Sequence, residues 1–403
     1  MLAAGQVVSP ADLNTRGVEF YKQKQWEKAI KEFVQAYEIV PENETVRRNL
    51  CNAYQALAND LARESNFVAA TELLNYAISV DPENPAPLTQ LGSYYIRLDM
   101  PNEAIFRLEE AIELDESQTD ALDLLGDAYY RANDLARAIQ QWELLKSRQP
   151  DRQGLADKLD KAYREAAVES QFKKHSSQFF EISYAPGTSG GDVGRVRSIL
   201  DKAYRDLGKQ TGGIYPPTPI QVILHTTDGF AQVTQLGAHV GGVYDGKIRV
   251  PIADKEGHTL NDKDLIRVLY HEYTHVIVRF WVGDNAPWWL NEGLAETFSN
   301  DLDSSQYGLL NEMSKAGALF SLSELEDAQL SKLDVDSLHV AYLQSHAVVQ
   351  YLWNRYGVRG LKPMFDSLAQ GMPVEDALVQ SYKLNYKMLD QKVRESSAQY
   401  ASR

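Results

Sequence analysis

The chain has 403 residues, a length that favours two or three domains over one. Hydrophobic residues make up 44% and charged residues 24%, the composition of a globular chain rather than a disordered or fibrous one. With 41 Lys+Arg against 56 Asp+Glu the formal net charge is −15, which argues against the clustered cations of a nucleic-acid binding track, and the lone Cys51 excludes an intrachain disulfide.

The first residues, Met1-Leu-Ala-Ala-Gly, are too short and uncharged for an intact secretory signal, and fit what remains after a leader is trimmed. A single thiol suits either redox compartment, so cytoplasmic and exported locations both stay open. No apolar run approaches the roughly 18–20 residues of a membrane span.

Four segments then share one pattern. The first carries Gly17, Phe20, Ala29, Phe33, Ala36 and Pro41; the second Cys51, Tyr54, Ala70, Leu74, Ala77 and Pro82. The third carries Gly92, Tyr95, Ala104, Leu108 and Ala111; the fourth Gly126, Tyr129, Ala138, Trp142 and Pro150. The small positions Gly17, Cys51, Gly92 and Gly126 are spaced by 34, 41 and 34 residues. Small residues let paired helices approach closely, and the proline that follows ends the second helix. The array resembles the tetratricopeptide (TPR) repeat, whose period is about 34. The 7 extra residues of the second repeat are about two helical turns, so a longer helix pair keeps its phase. We expect about four repeats over residues 12–150, and a capping helix over 151–170 that closes the domain 1–170. Such an array offers a concave face to a peptide or protein partner, or serves as a rigid arm.

A second domain is expected over 171–403. Gln178–Tyr184 alternates as a strand, residues 192–209 form a helix, and Ile220–His225 reads as a buried strand. Gly241–Ile252 reads as a hairpin arm or edge strand turning at Asp245-Gly246, with backbone groups to offer an extended peptide. Asn261 or Asp262 caps a helix with apolar residues on nearly every face, which should be largely buried.

On that helix His271 and His275 stand four residues apart, one turn along one face, a spacing that lets two imidazoles converge on one ion. Glu272 lies between them, placed to take a proton from a water. Burying this trio without an ion or a partner is costly. A second helix, opened by Pro287, carries Glu292, 17 residues after His275, and Glu296 one turn further. Glu292 completes a two-histidine, one-carboxylate site with an open position, and Glu296 is suited to accept the other ring N–H of a ligand histidine. Trp288 and Trp289 read as core. His175, His225, His239, His258 and His339 lack ligand spacing. Residues 358–399 read as three short helices punctuated by Gly360, Gly371-Met-Pro373 and Leu384-Asn385.

His-Glu-Tyr-Thr-His followed by Trp-Leu-Asn-Glu-Gly-Leu-Ala-Glu resembles the gluzincins, in detail the peptidase MA-like domains found beside TPR arrays. The resemblance spans residues 171–399 and the repeats. It implies an all-α TPR solenoid followed by an α+β thermolysin-like metallopeptidase domain, one Zn²⁺ held by His271, His275 and Glu292, and Glu272 as general base. It also implies a downstream Tyr or His that stabilises the oxyanion. Tyr342 and His346, four residues apart on one predicted helix, are the candidates, and either could face the metal. The 241–250 segment lacks the Gly-x-Met-x-Asn strand of the M1 aminopeptidases, which favours endopeptidase activity. The expected reaction is zinc-dependent hydrolysis of a peptide or protein substrate. The rival expectation is a TPR scaffold whose peptidase-like domain has lost activity.

Overall fold

The computed structural model describes residues 8–64, 66–236, 241–252, 261–327 and 333–401. The chain divides into two compact units, Met1–Ala166 and Ala167–Arg403.

The first unit is helical throughout its described residues. Four antiparallel pairs follow one another: α1 (Pro10–Lys22) with α2 (Trp26–Ile39), α3 (Glu44–Arg63) with α4 (Phe67–Val80), α5 (Pro85–Arg97) with α6 (Pro101–Leu114), and α7 (Thr119–Arg131) with α8 (Leu135–Arg148). The reason for the small positions is explicit. A Cβ on Gly17 would lie 2.4 Å from the Phe33 ring, one on Gly92 2.5 Å from Leu108, and one on Gly126 2.2 Å from the Trp142 indole. In these three repeats the second helix drives a large side chain into the gap left on the first. Cys51, the equivalent residue of the second repeat, is fully buried.

The 7 extra residues enter one helix rather than a pair: α3 has 20 residues where α1, α5 and α7 have 13, and every second helix has 14. The added turns grip both neighbours. Trp26 Nε1 donates to Asp60 at 2.6 Å, and Tyr94 Oη donates to Asn59 at 2.9 Å. A ninth helix, α9 (Leu155–Glu169), buries Leu155, Leu159 and Ala162 on the fourth repeat and runs through the boundary between the units.

The second unit contains a five-stranded sheet of order β1-β2-β3-β5-β4. Its strands are β1 (Lys173–Ser176), β2 (Phe180–Tyr184), β3 (Ile220–His225), β4 (Val243–Tyr244) and β5 (Ile248–Pro251). The three inner strands are parallel and the two edge strands antiparallel. β4 and β5 form the expected hairpin, turning through Gly246 at φ 99°. β1 is the strand that the sequence pattern does not reveal: Lys-Lys-His-Ser carries no apolar residue and lies mostly exposed at an edge.

Helices α10 (Gly190–Gln210) and α12 (Asp262–Val282) cover one face of the sheet, burying Phe180, Ile182, Leu224 and Val250 against Leu200, Leu269 and Ile277. A short helix, α11 (Thr227–Thr234), follows β3. The remaining helices build a second core around Trp289, Leu294, Val348, Leu352 and Phe365. They are α13 (Trp288–Ser299), α14 (Ser304–Lys315), α15 (Leu322–Asp327), α16 (Val335–Ala369), α17 (Val374–Tyr382) and α18 (Tyr386–Ala401). α12 serves both cores, Leu269 and Tyr273 on the sheet side and Val278 and Val282 on the helical side, which explains its apolar surround.

The break in the 358–399 region falls elsewhere than expected. α16 bends at Gly357, φ 55° and ψ −151°, a backbone state suited to glycine. Gly360 lies inside the helix and makes room for Tyr382, which a Cβ there would meet at 2.3 Å.

Candidate metal centre

Asn261 starts α12 by accepting from the Asp264 backbone N–H at 3.0 Å, which fixes the phase of the helix. That phase puts His271 and His275 on the side facing α13, their rings edge to face with centroids 4.8 Å apart. Pro287 opens α13 with φ −66°, and α13 returns beside α12 carrying Glu292. Among the described residues, His271, His275 and Glu292 form the one group of three metal-type ligands whose donor atoms all lie within 4.8 Å of one another.

The donors point inward. Glu292 Oε2 is 3.5 Å from His271 Nε2 and 3.8 Å from His275 Nε2. Two ligands of a tetrahedral zinc at about 2.0–2.2 Å are separated by about 3.3–3.5 Å; the first distance matches, the second is a few tenths of an ångström longer, and two imidazoles with one carboxylate are a donor set that fits the ion. Each imidazole is also met from behind. Asn291 Oδ1 takes the His275 Nδ1 proton at 2.9 Å, and Glu296 Oε1 lies 3.4 Å from His271 Nδ1. With an acceptor beside each Nδ1, either ring that carries its proton there offers its Nε2 lone pair to a cation. Asn291 stands inside the second motif, yet its spacing alone gave no reason to assign it this contact.

Electrostatics follow from burial and crowding. Burial pushes the Glu272 carboxyl up to about 8, opposed by His271 and reinforced by Glu292 and Glu296. Burial lowers both imidazoles. At His271 this is outweighed by the hydrogen bond with Glu292 and the charges of Glu272, Glu292 and Glu296, and its net shift is upward; at His275 burial prevails. Glu292 is held below the usual carboxylate range, the two histidines outweighing its burial.

Two glycines bring the surroundings close. A Cβ on Gly242, next to β4, would sit 2.8 Å from Glu272 Oε1, so the edge segment passes directly over that carboxylate. A Cβ on Gly293 would sit 2.3 Å from the Ser345 carbonyl oxygen, so its absence lets α13 press onto α16. Tyr342 and His346, both on α16, have different surroundings. Tyr342 packs edge to face on Trp288 at 5.0 Å, and its phenol is shifted up by burial and then by Glu292, Glu272 and Glu296. His346 is 3% exposed; burial lowers it to about 4, and the charge it feels most is Glu296, with a backbone hydrogen bond to Asn300.

The other histidines stay apart from this group. His175 lies on β1 and His339 is exposed on α16, while His239 and His258 fall outside the described residues. His225 is fully buried at the end of β3, 3.5 Å from Glu169, which is ion-paired to the buried Arg249.

Residues 241–398 match the profile of the Peptidase MA superfamily. The chain pairs a TPR-type helical array with a peptidase MA-like domain. DnaJ homolog subfamily C member 7 of mouse and of human are each 25% identical over 226 residues, covering 47% of this chain and 46% of the relative. The chain thus spans about half the length of the curated relatives it matches. Solved structures similar to the array include the first TPR of Spaghetti (RPAP3) bound to an HSP90 peptide, at 22% identity and TM-score 0.29, covering 29% of this chain and 95% of that one. MamA is similar at 22% identity and TM-score 0.32, covering 38% and 80%. No helix among the described residues is long and apolar enough to cross a membrane.

Proposed function

We propose that the peptidase MA-like domain is a thermolysin-like zinc peptidase that hydrolyses internal bonds of an extended peptide, and that the array of residues 1–170 recruits its protein partner or substrate. The observation that carries this reading is the convergence of the donor atoms of His271, His275 and Glu292 within 4.8 Å of one another, with the buried Glu272 carboxyl feeling the charges of His271 and Glu292. Zinc held by those three residues supplies Lewis acidity, polarising a carbonyl and bringing the pKa of a water towards ~7.

The chain's own residues do the rest. Glu272 takes the proton of the attacking water and returns it to the leaving amine. Tyr342 donates to the developing oxyanion. Its shift by Glu292, Glu272 and Glu296 supports this choice over His346, whose largest charge neighbour is Glu296. The passage of Gly242 over Glu272 supports an edge on which a substrate adds as another strand beside the base.

Wild type and Glu272→Ala, compared on denatured casein with zinc measured in both, test the reading. We expect equal zinc and a loss of cleavage of about 10²–10⁴-fold in the variant. Wild type that holds zinc and cleaves nothing would leave the scaffold reading standing.

A further inference from the structure

We propose that Arg267 is a positioning residue for this centre: it anchors the Glu296 carboxylate behind His271 and so keeps the His271 ring turned towards the shared ligand position. The inference rests on the metal-centre reading above and adds a residue that neither sequence motif contains.

α12 presents Arg267, His271 and His275 at four-residue intervals along one face, and α13 presents Glu292 and Glu296 opposite them. The contacts alternate between the helices. Arg267 Nη2 lies 3.2 Å from Glu296 Oε2 and 3.5 Å from Oε1; Oε1 lies 3.4 Å from His271 Nδ1; His271 Nε2 lies 3.5 Å from Glu292. The Glu296 side chain is 15% exposed and that of Arg267 54%, so the guanidinium reaches in from solvent to a sheltered carboxylate.

The need for an anchor follows from crowding. Glu272, Glu292 and Glu296 all act on His271. A carboxylate at the Glu296 position with no cation of its own can swing towards a bound dication, and His271 then loses the acceptor that orients it. Arg267 holds both Glu296 oxygens to the rear. An ordinary exposed ion pair contributes little to stability, so a merely structural Arg267 would leave metal affinity unmoved.

The sign of the effect is diagnostic. By charge alone a nearby guanidinium repels a dication, so its removal would tighten zinc binding slightly. By positioning, its removal loosens binding. Zinc affinity of the full chain, measured against a chromophoric chelator, separates the two. Arg267→Met should weaken binding about tenfold, in line with other residues that orient metal ligands, and Arg267→Lys should restore most of the loss. Lys263→Met, the same charge change one turn earlier, should weaken nothing. In a Glu296→Gln background Arg267→Met should change affinity less than about twofold, because the route through Glu296 is already cut. The visible spectrum of the cobalt-loaded protein should change in Arg267→Met and not in Lys263→Met.

Arg267→Met that binds zinc as tightly as wild type or tighter, or that loses as much with Glu296→Gln present, overturns the inference while the metal centre stands. Wild type that binds no zinc overturns both. Arg267→Gln replaces Arg267→Met should the latter fail to fold by circular dichroism.

Discussion

Both units contain glycines whose missing Cβ lets a neighbour come close, and at the positions compared what fills the space differs. In the array the gap at Gly17, Gly92 or Gly126 receives an apolar side chain, Phe33, Leu108 or Trp142. In the peptidase MA-like domain the gap at Gly293 receives the Ser345 backbone, and the one at Gly242 receives Glu272. The first kind of gap serves cohesion and repeats with the fold. The second, found at these two positions, sets distances around the proposed zinc site, while Gly360 against Tyr382 is a counterpart of the first kind in the same unit. The same methyl should therefore cost stability in one unit and chemistry in the other.

Three variants sharpen or break that contrast. Tyr342→Phe should have the largest effect, lowering turnover about 10²–10³-fold with zinc content and melting temperature unchanged. A turnover close to wild type would return the role to His346 or remove it from both. Gly293→Ala should follow, at about 10²-fold in kcat/KM, because the methyl meets backbone that cannot rotate away and α16 must shift relative to α13. Unaltered kinetics in that variant would show that the close approach serves packing alone. Gly126→Ala should be the mildest for function: overpacking against Trp142 costs about 1–3 kcal/mol of stability, read by denaturant unfolding, with zinc stoichiometry and peptide turnover intact. Loss of zinc from Gly126→Ala would break the contrast altogether.

The residues legible in the sequence are those that act through short, regular spacings. His271 and His275 are one turn apart, the repeat glycines recur at a fixed period, and Asn261 and Pro287 mark helix starts by residue type alone. Glu292 was reachable because its helix directly follows. What escaped depends on contacts between distant segments. Arg267 meets Glu296 29 residues on, and Gly242 meets Glu272 across a hairpin and a helix. His225 becomes a fully buried group beside Glu169 only once the sheet has formed. β1 escaped for a different reason: an exposed edge strand needs no apolar alternation. Gly360 misled because a glycine that admits a neighbouring ring and a glycine that bends a helix look alike in one dimension; the bend belongs to Gly357.

On the proposed zinc-site reading, Cys51 matters for the ion as well as for packing. Sulfur is a soft donor with high affinity for zinc, but only as thiolate. Burial, reinforced by Asp81, pushes the Cys51 thiol up to about 12 despite a hydrogen bond from Asn84. The one thiol in the sequence, which as an anion would compete for an ion at the proposed zinc site, is thus kept protonated by the repeat that encloses it.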